Sequence, residues 1–317
     1  MKQQPKEFKT TIGGQALIEG ILMRGPRKTA IVVRKPDGEF AIKEEEVGTI
    51  RKNPVLRLPL IRGVLGFWDS MKYGISALTY SAEFFEEEDP SQQPGKVESW
   101  LLKKFGSEKL DKILMGFALV TGIALPVALF ILLPTLLAGF LPAGSSSIVR
   151  NLLEGVVRIL IFLAFIIVTS KQSDIKRTYM YHGAEHKTIA CYEKGWELTV
   201  DNIRRCSRFH PRCGTSFLFV VMIISILVFS VFTWQSPWVR MALRLLLLPL
   251  VVGISYEINR WVGRHDNWLS MALRAPGLFL QRFTTNEPDG SMMEVAIEAI
   301  RRVIPENQGE DRWNGIW

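Results

Sequence analysis

The chain has 317 residues, of which 48% are hydrophobic, and its formal net charge is +8 at pH 7. The apolar residues are gathered into long runs, which disfavours an ordinary soluble domain. The three cysteines are odd in number and fall in a segment expected to face the cytoplasm, so we predict reduced thiols and no structural disulfide.

Residues 1–54 are predicted to form a small cytoplasmic region that contains β-structure. The segments TAIVVRK and EFAIKEE are separated by PDG, a pattern typical of a β-hairpin. The glycines of GGQALIEG and MRGP indicate backbone that needs special dihedral angles or a close approach. No signal peptide is visible ahead of this region.

Residues 55–100 are predicted to form an amphipathic helix followed by an acidic linker. Apolar residues from Leu60 to Phe85 recur at helical spacing, and small residues such as Gly63 and Gly74 accompany them. The pattern suits a helix that lies on or partly in the membrane and packs through its small residues, while a plain core helix is an equally good interpretation. The sequence EEEDPSQQPG then indicates a linker.

Four long apolar runs predict transmembrane helices. The first run has no charged residue and exceeds the roughly 18 residues that a helix needs to span a bilayer. Two runs fall within 101–170 and two within 215–259, and they cover residues 113–141, 155–169, 216–234 and 238–258. The second run continues upstream through NLLE, so its helix is expected to include Glu154. The expected fold class is therefore mainly α, an integral membrane helical bundle of about four transmembrane helices with a small cytoplasmic β-containing N-terminal region.

Polar and proline residues inside the first two predicted spans carry further expectations. Pro126 and Pro134 predict a kink in the first span. Glu154 and Arg158 lie one turn apart on the second span, with Arg158 near the middle of the bilayer. This pair could mark a transport path, and an ion pair that holds the second span against the fourth is an equally good interpretation.

The distribution of lysine and arginine predicts the orientation in the membrane. Residues 171–212 carry nine of these basic residues, whereas 141–147 and 235–237 carry none. The loop 171–214, the C-terminal region 260–317 and both termini are therefore expected on the cytoplasmic side, where the positive charge would meet anionic inner-leaflet lipid. A specific nucleic acid is not expected as a partner, because the charges are dispersed and no RNA-binding motif is present.

The C-terminal region is predicted to follow the last span with an interfacial helix anchored by Trp261 and Trp268. A turn is expected at Pro276–Gly277, because proline and glycine in sequence commonly interrupt a helix. Residues 292–303 are expected to close the chain as an amphipathic helix.

The loop 171–214 holds three of the four histidines and all three cysteines of the chain. His182 and His186 are four residues apart, so on a helix both imidazoles would lie on one face and could hold one metal ion. Glu185 completes the pattern H-x-x-E-H, the inverted order of the zincin motif, in which the glutamate acts as the general base.

Further ligands follow in the same region as HPRC, which supplies His210 and Cys213. All four nitrogen and sulfur ligands together would make a closed, structural site, whereas three of them would leave one position open beside Glu185. Glu257, at the cytoplasmic end of the fourth span, could add a carboxylate ligand. The mixed ligands favour a divalent metal, with zinc the best match.

Simpler interpretations of these residues stay open. The two histidines of H-x-x-E-H could hydrogen-bond at a membrane–water boundary without a metal. Cys191 and Cys206 could be small buried hydrophobic residues, and the nearby arginines could anchor phospholipid. A nucleophilic pair of Cys213 with His210 is a weaker hypothesis, because no third residue can be named that would orient the histidine.

Five segments resemble the DUF1385 family of bacterial membrane proteins: GGQALIEGILMRGP at 13–26, YHGAEHKTIACYE at 181–193, HPRCGTSF at 210–217, GISYE at 253–257 and APGLFLQRFTTNEP at 275–288. They occur in order over nearly the whole chain. The resemblance implies a location in the bacterial inner membrane. It also implies a metal-dependent enzyme whose motif residues correspond to His182, Glu185, His186, His210 and Cys213. Family members are often encoded near translation genes, which suggests membrane-protein biogenesis.

The function that these residues fit best is metal-dependent hydrolysis at the cytoplasmic membrane surface. Glu185 would take a proton from water, and Arg212 would stabilise the developing negative charge. The substrate would be a membrane-proximal peptide bond or a lipid head group. The alternatives are a non-catalytic accessory factor whose structural zinc supports contact with the translocon or ribosome, and a transporter subunit that uses Glu154 and Arg158.

Overall fold

The computed structural model describes residues 7–47, 54–85, 106, 116–117, 120–122, 124–140, 146–231, 237–307 and 309–313. The chain divides into two compact units. The first comprises Met1–Phe85, Phe165–Val228 and Leu246–Trp317, and the second comprises Glu86–Ala164 and Phe229–Leu245. The predicted acidic linker lies outside the described residues.

Helices make up most of the described chain. In order they are α1 (Ile61–Ala82), α2 (Val120–Gly139), α3 (Ser147–Thr169), α4 (Ser173–Glu193), α5 (Val200–Arg204), α6 (Gly214–Ser230), α7 (Pro237–Arg264), α8 (Trp268–Thr284) and α9 (Gly290–Val303). A short 3-10 helix, Pro54–Arg57, precedes α1. The expectation of a mainly α fold is confirmed.

The N-terminal region is one antiparallel sheet with the strand order β1-β2-β3-β4. The strands are β1 (Gly13–Leu17), β2 (Gly20–Arg24), β3 (Lys28–Arg34) and β4 (Phe40–Glu46). The predicted hairpin is confirmed as β3 and β4, which pair from Lys28 with Glu46 to Arg34 with Phe40. Gly38 in the turn has a φ of 88°, a conformation that glycine adopts without steric cost.

The middle strands each contain an uninterrupted apolar run, and successive side chains point to opposite faces, so both faces of the sheet bury side chains. One face contributes Ile21, Met23, Ala30 and Val32 to a core shared with α4 and α9. The other face contributes Leu17, Leu22, Ile31 and Val33 to a second cluster that includes Ala77 of α1. Burial of each large apolar side chain stabilises the unit by about 1.5–3 kcal/mol, and the sheet thereby fixes α1 and α4 on opposite sides.

The helix α1 buries its small residues and exposes its large ones. Gly63, Gly74, Ala77 and Ser81 are buried, and a Cβ on Gly63 would lie 2.8 Å from Cβ of Tyr256. The large apolar residues that point outward include Trp68, Met71, Ile75 and Leu78. This is the reverse of a core helix in a soluble protein, and it supports a helix that meets the membrane with its outer face.

Three helices within the described residues are long and apolar enough to cross a membrane: Val120–Gly139, Ile148–Thr169 and Ala242–Arg264. The third predicted span, 216–234, corresponds to α6, which has 17 residues and is shorter than a full span. Its last predicted residues, 232–234, lie outside the described part of the chain. Among the described residues, the chain is thus a candidate membrane protein with three helices of spanning length, where four spans were predicted.

A buried ion cluster joins the helices of the second unit. The side chain of Glu154 is 1% exposed, and its Oε1 accepts hydrogen bonds from Arg158 at 2.9 Å, from Thr135 at 3.0 Å and from Arg244. Arg158 also donates to the carbonyl of Phe130 at 2.9 Å. The predicted pair of Glu154 with Arg158 is therefore present, and Arg244 extends it to the helix of the predicted fourth span.

A π-helical segment interrupts the first span between the two prolines for which a kink was predicted. Ala128–Leu132 has this wider geometry, and it falls between Pro126 and Pro134. A proline removes one backbone donor and crowds the preceding turn, and a π-turn is one way in which a helix accommodates that disruption.

The C-terminal region differs from the sequence expectation at two points. Trp261 and Trp268, expected on one interfacial helix after the last span, lie within α7 and at the start of α8. Helix α8 runs through Pro276–Gly277, so the predicted turn there is wrong. Gly277 serves a close packing contact instead, because a Cβ at this position would collide with Ser216. Helix α9, Gly290–Val303, confirms the amphipathic helix predicted at 292–303.

Replacing Glu154 by alanine should destabilise the protein by about 3–5 kcal/mol, because two buried guanidinium groups would lose the carboxylate that they share. Unfolding in detergent micelles, followed by thermal or denaturant titration, measures this change. Glu39→Ala is the matched control, since the side chain of Glu39 is 80% exposed and should leave stability near that of the wild type. An equally small effect at Glu154 would contradict the structural importance of the cluster.

Candidate metal centre

Most of the region predicted as a loop, 171–214, is helical. Helix α4 runs from Ser173 to Glu193, and α5 follows at Val200–Arg204. The correction has a physical cause, because Tyr181, Ala184 and Ile189 recur at helical spacing and enter the core against the sheet. The polar residues of H-x-x-E-H lie on the neighbouring face of the same helix.

Three side chains converge at the start of α6. One ligand atom from each of His182, His186 and Cys213 lies within 4.8 Å of the other two. Nε2 of His182 is 3.2 Å from Sγ of Cys213. The Thr215 N–H, in the first turn of α6, approaches the same sulfur at 3.5 Å. Two imidazoles and a thiol at this separation are a donor set that could hold one divalent metal ion.

Backbone carbonyls fix the orientation of both imidazoles. Nδ1 of His182 lies 2.7 Å from the carbonyl oxygen of Thr284, and Nδ1 of His186 lies 2.6 Å from that of Arg208. A carbonyl only accepts, so each Nδ1 must carry the proton, and each Nε2 keeps a free lone pair. Nε2 of His186 is buried and has no hydrogen-bond partner among the described residues. Burial also lowers the pKa of His186, which favours the neutral ring.

Glu185 is buried beside these ligands and is only 5% exposed. Burial raises the pKa of Glu185, while the N–H of Gly14 acts in the opposite direction. Gly14 makes room for the carboxylate, because a Cβ on Gly14 would lie 3.0 Å from the Glu185 side chain. Oε2 of Glu185 has no hydrogen-bond partner within the described part of the chain.

His210 lies near the three residues but interacts with a different group. Its Nε2 is 3.5 Å from the carboxylate of Glu193, which also pairs with Arg212 and accepts the N–H of Thr10 at 2.7 Å. Burial lowers the pKa of His210. Burial alone would raise the pKa of Glu193, but His210 and Arg212 hold that pKa below its usual range.

Glu257 is not part of the group, although it was expected as a possible ligand. Its carboxylate forms a two-pronged ion pair with Arg62 of α1, in which Nε of Arg62 lies 2.7 Å from Oε1. Among the described residues, the cluster with metal-binding geometry contains only His182, His186 and Cys213. The reason is the close packing of α1 on α7, which gives Glu257 a guanidinium partner of its own.

The three converging residues open into a polar cavity of about 670 Å³. Its wall includes residues 13–16 of β1, the catalytic candidates Glu185 and Arg212, and Arg260. Thr11 Oγ1 and Trp313 Nε1 also line the cavity, and both are buried without a hydrogen-bond partner among the described residues. Several polar atoms therefore face one space without satisfying one another, as in sites that receive polar ligands.

Two supporting residues were missed by the sequence analysis. Glu193 lies seven residues after His186 and hence on the same face of α4, a spacing that could have indicated it. Gln281 holds the backbone of His210 through two 2.8 Å hydrogen bonds, because its Oε1 accepts the N–H of His210 and its Nε2 donates to the carbonyl of His210. Gln281 lies within the segment APGLFLQRFTTNEP, but no local pattern connects it with a residue 71 positions earlier.

The fold and this cluster define a helical membrane-type protein with a candidate metal centre beside a polar cavity. Residues 58–306 match DUF1385, a protein family of unknown function. Over 299 residues the chain is 31% identical to the uncharacterized protein YqhQ of Bacillus subtilis strain 168, with 92% of each chain covered. No solved structure matches the chain. The chain belongs to the DUF1385 family, as its motifs indicate.

Gly183→Ala should disturb the candidate centre, because the added Cβ would collide with the carbonyl of Asn286. We expect a loss of about 1–3 kcal/mol from overpacking, which outweighs the gain of about 1 kcal/mol in helix propensity. The melting temperature in detergent measures the effect. Gly122→Ala is the control, since its Cβ would have nothing within 4 Å. If the two variants melted alike, the close approach at Gly183 would not exist in solution.

Proposed function

We propose that the protein is a metal-dependent hydrolase whose centre is formed by His182, His186 and Cys213, with zinc as the best-suited metal. The observation that carries this proposal is the convergence of three nitrogen and sulfur donors on a polar cavity. The free Nε2 of His186 supports it, because a buried polar atom without a partner is costly unless a ligand satisfies it. The carbonyls behind both Nδ1 atoms match the second shell of known metal centres.

The number of ligands favours a catalytic centre over a structural one. Structural zinc sites generally use four protein ligands, whereas catalytic sites use three and leave one position open. His210, the candidate for the fourth ligand, is directed to Glu193. The three remaining ligands face the cavity, where a substrate and water could reach them.

In the proposed reaction a bound metal would act as a Lewis acid and make water a better nucleophile at neutral pH. Glu185 would accept the proton of the attacking water and pass it to the leaving group. The N–H of Gly14 would keep the Glu185 carboxylate in position. Arg212 lines the same cavity and would stabilise negative charge on the substrate oxygen, with its own position fixed by Glu193.

We further propose that this centre lies at the cytoplasmic surface of the bacterial inner membrane, with both termini on the cytoplasmic side. The nine basic residues of 171–212 support this orientation, and they would contact anionic lipid. The rival proposal is a non-catalytic factor in membrane-protein biogenesis that contacts the translocon or ribosome. It would require a closed zinc site, so ligand number separates the two.

Metal content provides the first test. Protein purified without chelator should contain about one equivalent of a divalent metal, measured by elemental analysis. His186→Ala and Cys213→Ser should lose it, and His265→Ala, at an exposed histidine, is the control. His210→Ala should keep the metal. Loss of metal from the His210 variant would indicate a four-ligand structural site, and metal-free wild-type protein would end both proposals.

Glu185→Gln provides the second test, because the amide is nearly isosteric but cannot accept the proton. The zinc-loaded variant should keep its metal and lose about 10²–10⁴ in hydrolytic rate, assayed with 4-nitrophenyl acetate and with fluorescently labelled casein. Glu197→Gln, at an exposed glutamate, should behave as the wild type. Full activity of a metal-loaded Glu185→Gln protein would contradict the role of Glu185 as general base.

A further inference from the structure

The first strand of the sheet is an edge strand that borders the candidate metal centre. Within the described part of the chain, β1 pairs with β2 on one side only. Residues 13–16 of β1 line the same cavity as His182, Glu185 and Cys213, and the first three residues of β1 are exposed. An exposed edge presents backbone N–H and C=O groups to which another extended chain can bind.

The register shows which backbone groups point away from the sheet. The N–H of Arg34 donates to the carbonyl of Glu19, so Gly20 and Val33 form a non-hydrogen-bonded pair and the polar groups of Gly20 face β1. Gly20 pairs with Leu17. Counting back from Leu17 in steps of two, the groups of Gln15 and Gly13 also face β2.

It follows that the backbone groups of Gly14 and Ala16 face the open edge. The N–H of Gly14 is directed to Glu185, in agreement with this register. The carbonyl of Gly14 and both polar groups of Ala16 have no hydrogen-bond partner among the described residues. One donor and two acceptors are thus available beside the general-base candidate.

Glycines keep this edge accessible. Gly13 has open space where a Cβ would lie, with no atom within 4 Å. Gly14 has no side chain to screen the strand, and the carboxylate of Glu185 lies against it. An approaching chain can therefore come within hydrogen-bonding distance of β1 while one of its peptide bonds reaches the converging donors of His182, His186 and Cys213.

We propose that β1 binds an extended polypeptide substrate as an added strand, so that the substrate class of the hydrolase is a peptide and not a lipid head group. Outward groups recur along a strand every second residue, about 6.6–6.8 Å apart, and a polypeptide has the same repeat. A head group offers one charged cluster and no such repeat. The inference rests on the hydrolase function proposed above.

The reaction assigned to this complex is amide hydrolysis. The oxygen of water bonds to the carbonyl carbon, and the bond between that carbon and the amide nitrogen breaks. One proton of the water stays in the new carboxyl product, and the other passes through Glu185 to the leaving amine. Strand pairing with β1 would hold the scissile carbonyl in place during these steps.

Hydroxamates, which chelate divalent metals, can separate edge binding from metal binding. The probes are acetohydroxamate, which is too short to reach β1, and an N-succinyl trialanine hydroxamate. Zinc-loaded full-length protein should bind the peptide probe more tightly than acetohydroxamate. Methylation of alternate backbone nitrogens of the peptide should weaken binding about two- to tenfold, the range expected for one hydrogen bond, whereas methylation at the other positions should have little effect.

Ala16→Pro tests the same contact from the protein side, because it removes an outward N–H without removing a bond to β2. It should weaken the peptide probe and leave acetohydroxamate binding unchanged. Glu46→Pro is the matched control. The N–H of Val47 donates to Arg27, which places the N–H of Glu46 on the outer side of β4, the opposite edge of the same sheet.

The outcomes distinguish this inference from the function on which it rests. If acetohydroxamate bound but the peptide bound no more tightly, or if N-methylation had no alternating effect, the peptide-edge proposal would be wrong and the hydrolase proposal would stand. If acetohydroxamate failed to bind the zinc-loaded wild type, both would fall. The methylated probes give this answer with wild-type protein, even if Ala16→Pro does not fold.

Discussion

The candidate centre depends on one packing constraint, the docking of residues 284–288 against α4. Gly183 lets the carbonyl of Asn286 approach the helix where any side chain would collide, and the N–H of Asn286 donates to the carbonyl of Tyr179 at 2.8 Å. This contact brings the carbonyl of Thr284 to Nδ1 of the first histidine. The face of α4 that carries the candidate ligands is thus oriented by a segment about a hundred residues away.

Glu193 is the second residue on which the candidate centre depends, because its contact with His210 leaves three candidate ligands facing the cavity. Its carboxylate sits between His210 and Arg212 and also receives a backbone N–H from the N-terminal segment. The contact with Glu193 engages Nε2 of His210, and His210 is not among the converging ligands found in the described residues. The buried negative charge also offsets the charge of Arg212, which lowers the cost of placing a guanidinium beside a polar cavity. A residue that binds neither metal nor substrate therefore determines the chemistry available to the site.

Local patterns predicted the parts of the fold that depend on neighbouring residues. The β3–β4 hairpin followed from its alternation and turn sequence, and the small-residue face of α1 followed from its periodicity. The spacing of His182 and His186 likewise indicated one helical face, although the region around them looked like a loop. This region has few apolar residues, so their packing against the sheet could be recognised only in the structure.

Other features depend on residues that are distant in sequence, and those were not predictable. Glu257 was a reasonable ligand by residue type and depth, but its charge is used by Arg62, 195 positions earlier. Pro276–Gly277 has the composition of a turn, yet Gly277 is required for contact with α6. The length of α6 was likewise not predictable, because an uninterrupted apolar run does not show at which residue its helix ends.

The position of α1 connects the candidate site with the membrane. Its inner face packs on Gln15 of β1 at Gly74 and on Tyr256 at Gly63, and Ser70 lines the cavity. Its outer face carries exposed large apolar side chains that a bilayer interface would cover. A helix of this kind would hold the open edge of β1 about one helix diameter, roughly 10 Å, from the lipid surface. A polypeptide emerging from the bilayer in extended form could then reach β1 before it folds, whereas a folded domain would be too wide to enter the cavity.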